Sequence, residues 1–249
     1  MSTEKLAHFS SVPREKLPTM YDLPSEDPEE PGLPDEFHYY QPQLLRETFR
    51  PPGFATDRYF VAADLNLYYD ARHTNRYKRP DWFAVLNQTR FYEKRDLRLS
   101  YVIWQERVPP YLVVELLSPG TEKEDLGQVL HDPEGIPGKW EVYERLLRVP
   151  YYVVFSRYTD ELHCYVLDGE RYREQHPENG RLWLPEAELG LGLWRGEYHE
   201  IAGQWLRFFD ANGAWMSTPN EQERQRAEQE RQRAERLAAR LKALGIDPE

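Results

Sequence analysis

The sequence predicts a mixed α/β domain on three observations. Tyr111–Leu117 is a continuous apolar run bounded by Pro109-Pro110 and Ser118-Pro119-Gly120, the pattern of a strand buried on both faces. Lys139–Arg148 repeats large apolar residues at helical spacing (Trp140, Tyr143, Leu146, Leu147) and is stopped by Pro150. Tyr151–Ser156 follows as a second β-prone run. The order of strand, long helix-bearing connection and strand belongs to a mixed sheet flanked by helices.

The remaining elements follow in chain order. Residues 1–37 are rich in Pro, Glu and Asp and read as an extended or disordered acidic arm. A helix is expected over His38–Phe49, because Leu44, Leu45, Thr48 and Phe49 share a face and Pro51-Pro52-Gly53 ends it. Glu47 on this helix is either an accessory acid or a solvated residue. Tyr59–Asp70 alternates and is rich in aromatics, so it reads as one strand, followed by the polar loop Ala71–Lys78. Trp82–Leu86, Ser100–Glu106 and Glu161–Leu167 supply further strands, with Tyr158-Thr159-Asp160 as a turn. Asp210-Ala211-Asn212-Gly213, inside Trp205–Trp215, is a hairpin signal. The globular domain is therefore placed at 38–217.

The tail, 218–249, repeats QERQRAE at Gln222–Glu228 and Gln229–Glu235. Ala227, Ala234 and Leu241 recur every seventh residue, with Leu237 and Leu244 in the complementary slots. The seam is weak, since Ala is small and Glu230 occupies one slot. Two readings stay open, a coiled coil that makes the protein a homodimer and a single charged helix held by i,i+4 pairs.

The formal net charge of -11 over 249 residues is unevenly spread. Residues 1–37 hold nine acids against three bases, and 221–249 are balanced at seven each. The remaining negative charge lies in the domain, which disfavours strong non-specific binding to nucleic acid while leaving room for a local basic surface. The single cysteine, Cys164, excludes an intramolecular disulfide and a thiolate metal cluster and suits a reducing cytoplasm. No stretch approaches a membrane span, and the N-terminus lacks the charged-then-apolar pattern of a secretion signal. His163-Cys164 has too few partners for a metal site. Gly190-Leu191-Gly192-Leu193 lacks the Lys-Ser/Thr of a phosphate loop.

Two acids carry the chemical interest. Glu115 sits inside a buried strand, where an ionised carboxylate is costly without a cation, a metal or several donors. Asp81 opens the apolar run Trp82–Leu86, so two strands could set the two acids side by side. Paired strand-borne carboxylates with a lysine nearby are the requirement of a metal-dependent phosphodiesterase. Arg72, His73, Arg76, Lys78 and Arg79 precede Asp81 and could meet a phosphate backbone; they could equally form a solvated turn.

Pro80-Asp81, Leu112-Val113-Val114-Glu115-Leu116-Leu117-Ser118-Pro119-Gly120-Thr121, Asp125 and Lys139-Trp140-Glu141-Val142-Tyr143 leading to Val149-Pro150-Tyr151-Tyr152 together resemble the Uma-type family of restriction endonucleases. That family, long filed as a domain of unknown function, belongs to the PD-(D/E)XK nuclease superfamily. The resemblance covers roughly residues 40–210, and many members carry a similar Arg/Gln/Glu-rich tail. It implies a restriction-endonuclease-like mixed β-sheet flanked by helices, with the charged helix at the C-terminal end. It makes Asp81 and Glu115 the metal-binding catalytic acids for Mg²⁺ or Mn²⁺, Lys139 the catalytic lysine, and DNA the substrate. The superfamily lysine would fall at Leu117, which cannot serve; as in family members, it moves to the next helix, four residues ahead of Tyr143. The segment Leu126–Gly138, with Asp132-Pro133-Glu134, is longer than usual and leaves Lys123 as a substitute. A nuclease fold that no longer cuts and serves as a binding or assembly module through its tail is the competing expectation.

Overall fold

The computed structural model describes residues 12–19, 22, 35–117, 122–128 and 135–243. A six-stranded mixed sheet is its centre, in the order β1 (Tyr59–Ala62), β4 (Trp82–Leu86), β6 (Leu112–Leu116), β7 (Tyr151–Phe155), β8 (Leu162–Asp168) and β9 (Arg171–Gln175). Among the described residues of this sheet, only β6 and β7 run parallel. Parallel neighbours need a long crossover, and the helical segment between them supplies it. Every residue of β4, β6 and β7 is buried, as expected of strands covered on both faces.

One face of this sheet carries Trp82, Ala84, Leu112, Val114, Leu116, Val153 and Phe155. It is covered by helix α1 (Glu36–Thr48) and by an antiparallel sheet of β10 (Arg181–Leu184), β11 (Leu189–Tyr198) and β12 (Ile201–Phe209). Gln41 fastens α1 to β12 as if it were a strand residue. Its Nε2 donates to the Leu206 carbonyl at 2.8 Å, and the Leu206 N–H donates to its Oε1 at 2.7 Å. The other face carries Phe83, Val85, Val113, Tyr152, Val154 and Tyr165 against Val142, Tyr143 and Leu147. Val142 and Tyr143 lie in the π-helical stretch Val142–Leu146, which continues α4 (Lys139–Glu141), and Leu147 caps its end.

Several expectations are corrected. Tyr59–Asp70 is not one strand: Asp64 adopts a left-handed conformation (φ 49°), and the chain leaves the main sheet there. It then forms β2 (Leu67–Tyr68), which pairs with β3 (Tyr77–Lys78) and β5 (Tyr101–Val102). Ser100–Glu106 is strand only through β5; Ile103–Glu106 is one helical turn, α2, closed by Arg107 at φ 59°. The N-terminal arm is anchored in part. Gln105 Nε2 donates to the carbonyls of Arg14 and Leu17 (2.9 Å each), and Trp104 Nε1 donates to that of Pro18 at 2.8 Å. A helical turn is what lets these two neighbouring side chains both reach the arm, which apolar pattern alone could not signal.

Sequence pattern also missed β9 to β11. Gly190-Leu191-Gly192-Leu193 lies in β11, where the Phe209 ring occupies the space that a side chain at Gly190 would need. The hairpin signal at Asp210–Gly213 closes a single bridge between Phe209 and Trp215, at the end of β12. The tail is helical as α5 (Pro219–Ala243), with no residue buried. It starts on a capping box: Thr218 Oγ1 accepts from Glu221 N–H (3.2 Å), and Glu221 Oε2 from Thr218 N–H (2.8 Å). Leu244 lies outside the described residues, as do Ser118–Thr121 and Asp132-Pro133-Glu134.

Candidate active site

Strand register and alternation bring the two acids together. Trp82 pairs with Val114 and Phe83 with Val113, so the antiparallel ladder, extended by one residue, sets Asp81 opposite Glu115. Phe83 and Val113 face the α4 side, and a period of two puts Asp81 and Glu115 on that same face. The backbone secures the arrangement. Leu116 N–H donates to Asp81 Oδ2 at 2.6 Å, and Asp81 N–H donates to Glu115 Oε2 at 3.4 Å.

Helix α4 brings the cation. Lys139 Nζ lies 3.1 Å from Glu115 Oε2 and 2.9 Å from Asp125 Oδ1. Tyr143, one turn on, donates its hydroxyl to Glu115 Oε1 at 2.8 Å. Asp125 ends α3 (Glu122–Asp125), and its carbonyl accepts from Tyr152 OH at 2.9 Å. Its neighbour Glu124 accepts from Lys139 N–H and Lys78 Nζ, both at 3.0 Å, and so pins the start of α4. The π-helical turn follows, with Leu147 N–H bonded to the Val142 carbonyl at 2.8 Å, a widening that recurs at functional sites.

Glu115 is fully buried and Asp125 is 1% exposed. Burial pushes the Glu115 carboxyl well above its usual range; Lys139 opposes this, while Asp125 and Asp81 reinforce it. Burial likewise raises Asp81, against the pull of Lys139 and the Leu116 N–H. For Lys139, burial alone would favour the neutral amine, but Glu115, Asp125 and Asp81 outweigh it and hold the ammonium well above its ordinary value. Burial and the Glu115 charge raise Tyr143, keeping it a neutral donor.

Three carboxylates against one ammonium leave two negative charges in excess when all are ionised. Among the described residues, no three His, Cys, Asp or Glu side chains form a ready cation cage. Mg²⁺ does not require one, since it usually takes one or two carboxylates and completes its shell with water and phosphate oxygens. Oxygen donors, paired acids and the uncompensated charge fit a hard divalent cation at Asp81 and Glu115. Lys139 acts as the internal counter-ion at Glu115 Oε2, the oxygen the Asp81 N–H also approaches, while Tyr143 holds Oε1.

The remaining candidates separate clearly. Lys123 is exposed, and Lys139 is the lysine in contact with Glu115. Lys78 is bound to Glu124; Arg79 Nε donates to Asn66 Oδ1 at 2.9 Å and lies 3.7 Å from Asp64. Arg72 is exposed beside Asp70, and Arg76 is partly exposed. Glu47 lines a different cavity, with Tyr198, His199 and Glu200. His163 pairs with Glu174 at 2.8 Å, and Cys164 is buried.

Asp125 and Tyr143 were visible in the sequence without a role; Asp35, His38 and Glu124 were not singled out. Asp35 had a readable signal, an Asp directly before a helix. The partners of His38 and Glu124 are set by tertiary contacts.

No curated protein matches the chain at a significant level. The sequence profile of the Uma2 family, described as "Putative restriction endonuclease", matches residues 7–201, from within the N-terminal arm to the first residue of β12. A match over most of the chain, together with the mixed sheet and flanking helices, places it: the chain belongs to the Uma2 family.

Proposed function

We propose that this protein is a divalent-metal-dependent endonuclease that hydrolyses DNA phosphodiester bonds. The observation that carries the reading is the meeting of Asp81, Glu115 and Lys139, remote in sequence, at one end of the β4–β6 ladder. Asp81 and Glu115 would hold Mg²⁺ or Mn²⁺, which polarises the scissile phosphate and makes bound water acidic. Lys139 offers an ammonium that orients the attacking water or meets charge growing on the phosphate. Leu116 N–H aims Asp81, and Tyr143 fixes the rotamer of Glu115. Asp125 holds Lys139 toward the pair. Arg72 and Arg76 are the members of the basic loop left to meet the DNA backbone; Lys78 and Arg79 shape the loop from within. The tail helix α5 would pair with a second copy through Ala227, Ala234, Leu237 and Leu241.

The test is nicking of supercoiled plasmid by the full chain in Mg²⁺ or Mn²⁺. Asp81→Ala and Glu115→Ala should each abolish cleavage while the circular dichroism spectrum is retained. Cleavage that persists in both variants, or that needs no metal, sinks the proposal. One observation favours a second reading: Lys139 already compensates part of the buried charge, which would suit a nuclease fold that binds without cutting. DNA binding by a wild-type protein that never nicks, with any metal, would select that reading.

A further inference from the structure

The start of α1 reaches the acid pair through a chain of hydrogen bonds. Asp35 caps the helix, with Oδ1 accepting the His38 N–H at 3.1 Å, and the same oxygen lies 2.9 Å from His38 Nδ1. On the other side of the ring, His38 Nε2 lies 3.1 Å from the Leu116 carbonyl. A carboxylate and a carbonyl only accept, so satisfying both nitrogens requires both to donate; the form that does so is the imidazolium. Its side chain is 1% exposed, and a buried cation needs a partner, which Asp35 is. Asp35 is held ready for this. Burial pushes its carboxyl up, but hydrogen bonds from His38 and Tyr158 bring it down to about 2. Arg157 sits 2.7 Å from its other oxygen.

Leu116 is the hinge of the relay. The peptide carbonyl that takes the His38 N–H belongs to the residue whose N–H holds Asp81 Oδ2. It is also the residue directly after Glu115. The carbonyl lies in the peptide joining Leu116 to Leu117 and the N–H in the peptide joining Glu115 to Leu116, so the link between them is positional, through the Leu116 Cα. A donor at the carbonyl fixes the plane in which the strand leaves the ladder, and with it the backbone that carries the N–H.

We propose that His38 is a positioning residue for the metal-binding acids. Through Leu116 it sets the direction of Asp81 and its spacing from Glu115, with Asp35 holding the imidazolium and Arg157 steadying Asp35 from its other oxygen. The assignment rests on the metal-nuclease reading. Groups that orient metal ligands without touching the ion commonly contribute 10- to 100-fold in affinity.

The test is Mn²⁺ binding by the full chain, measured by calorimetry without DNA. Asp35→Asn keeps an N-cap oxygen but removes the charge that balances His38, and His38→Ala removes the ring. Both should weaken Mn²⁺ by about 10-fold or more. In an Asp81→Ala background, His38→Ala should change the remaining affinity by less than about twofold, because the acid it positions is gone. A purely structural histidine would lower the melting temperature and leave the Mn²⁺ dissociation constant unchanged, or would weaken Mn²⁺ equally with Asp81 absent; either result overturns the assignment. Absence of Mn²⁺ binding by wild type overturns it together with the metal reading. Binding by wild type that is unaltered in His38→Ala overturns the relay alone. If His38→Ala does not fold, Asp35→Asn decides.

Discussion

Lys139 is the residue on which the cluster's charge turns. Replacing it with Ala leaves Glu115, Asp125 and Asp81 in a buried space without the ammonium that contacts two of them. Removing one partner of such a pair costs about 3–5 kcal/mol, so Lys139→Ala should be markedly less stable at pH 8 in chelator. Part of that loss should return as the pH falls toward 5, because the carboxyls can then take up protons. The same variant should bind Mn²⁺ more tightly and yet fail to cleave. Thermal melts at the two pH values, with calorimetry and a nicking assay, read all three. Weaker Mn²⁺ binding would mean that the lysine helps hold the ion rather than competing with it. At this scale much was legible: Asp81, Glu115 and Lys139 stood out from strand pattern and from a motif resemblance. His38 did not, because its partners are a backbone carbonyl 78 residues away and a side chain that reads as an ordinary helix cap.

Among elements, α1 is the one whose attachment can be weighed. Gln41→Ala would leave a buried N–H and a buried carbonyl of Leu206 without partners. Unmet groups of this kind cost about 1–3 kcal/mol each, and chemical denaturation should show a loss of about 2–4 kcal/mol. A loss under about 0.5 kcal/mol would mean that water replaces the amide. Gln41→Glu should be as damaging, because a carboxylate offers no donor to the Leu206 carbonyl. The central strands were readable because they are buried on both faces and so spell apolar runs. Strand β9 was not, since most of its side chains are exposed and it reads RYREQ. Strand β11 was masked by its glycines, which allow close approach rather than a turn: Gly190 to the Phe209 ring and Gly192 to the Gly180 carbonyl and Arg181. The break at Asp64 and the helical turn at Ile103–Glu106 depend on contacts with distant segments, which local pattern does not carry.

For the whole molecule, the acid cluster sets how stability responds to pH. Glu115 and Asp81 both have raised values in the folded state. Such groups bind protons more tightly when folded, so their contribution is complete below the unfolded carboxylate range and is lost as pH rises through the raised values. In chelator, the melting temperature should therefore be higher at pH 6 than at pH 8. Below about pH 4 the trend should reverse, as Asp35 and the other carboxylates with depressed values take up protons. Saturating Mn²⁺ should flatten the slope between pH 6 and 8, because the ion takes over the protons' role. A flat profile between pH 6 and 8 in chelator would show Glu115 to be ionised and fully satisfied by Lys139 and Tyr143. Removal of residues 218–249 is the other test at this scale. Sedimentation should show the mass fall from two chains to one, and no change would leave α5 as a solitary helix held by pairs such as Arg231 with Glu228 and Glu235. Among the described residues, no helix is long and apolar enough to cross a membrane.

The placement of Asp81 across from Glu115 has a bearing on quality control. A slip of β4 against β6 by a single position would send one carboxylate to the far side of the sheet. Catalytic turnover would then report pairing fidelity: every molecule that nicks a plasmid has zipped those two strands in the correct frame. In refolding trials, specific activity would count correctly aligned copies where a spectroscopic helix or strand content could not tell them from their misthreaded siblings.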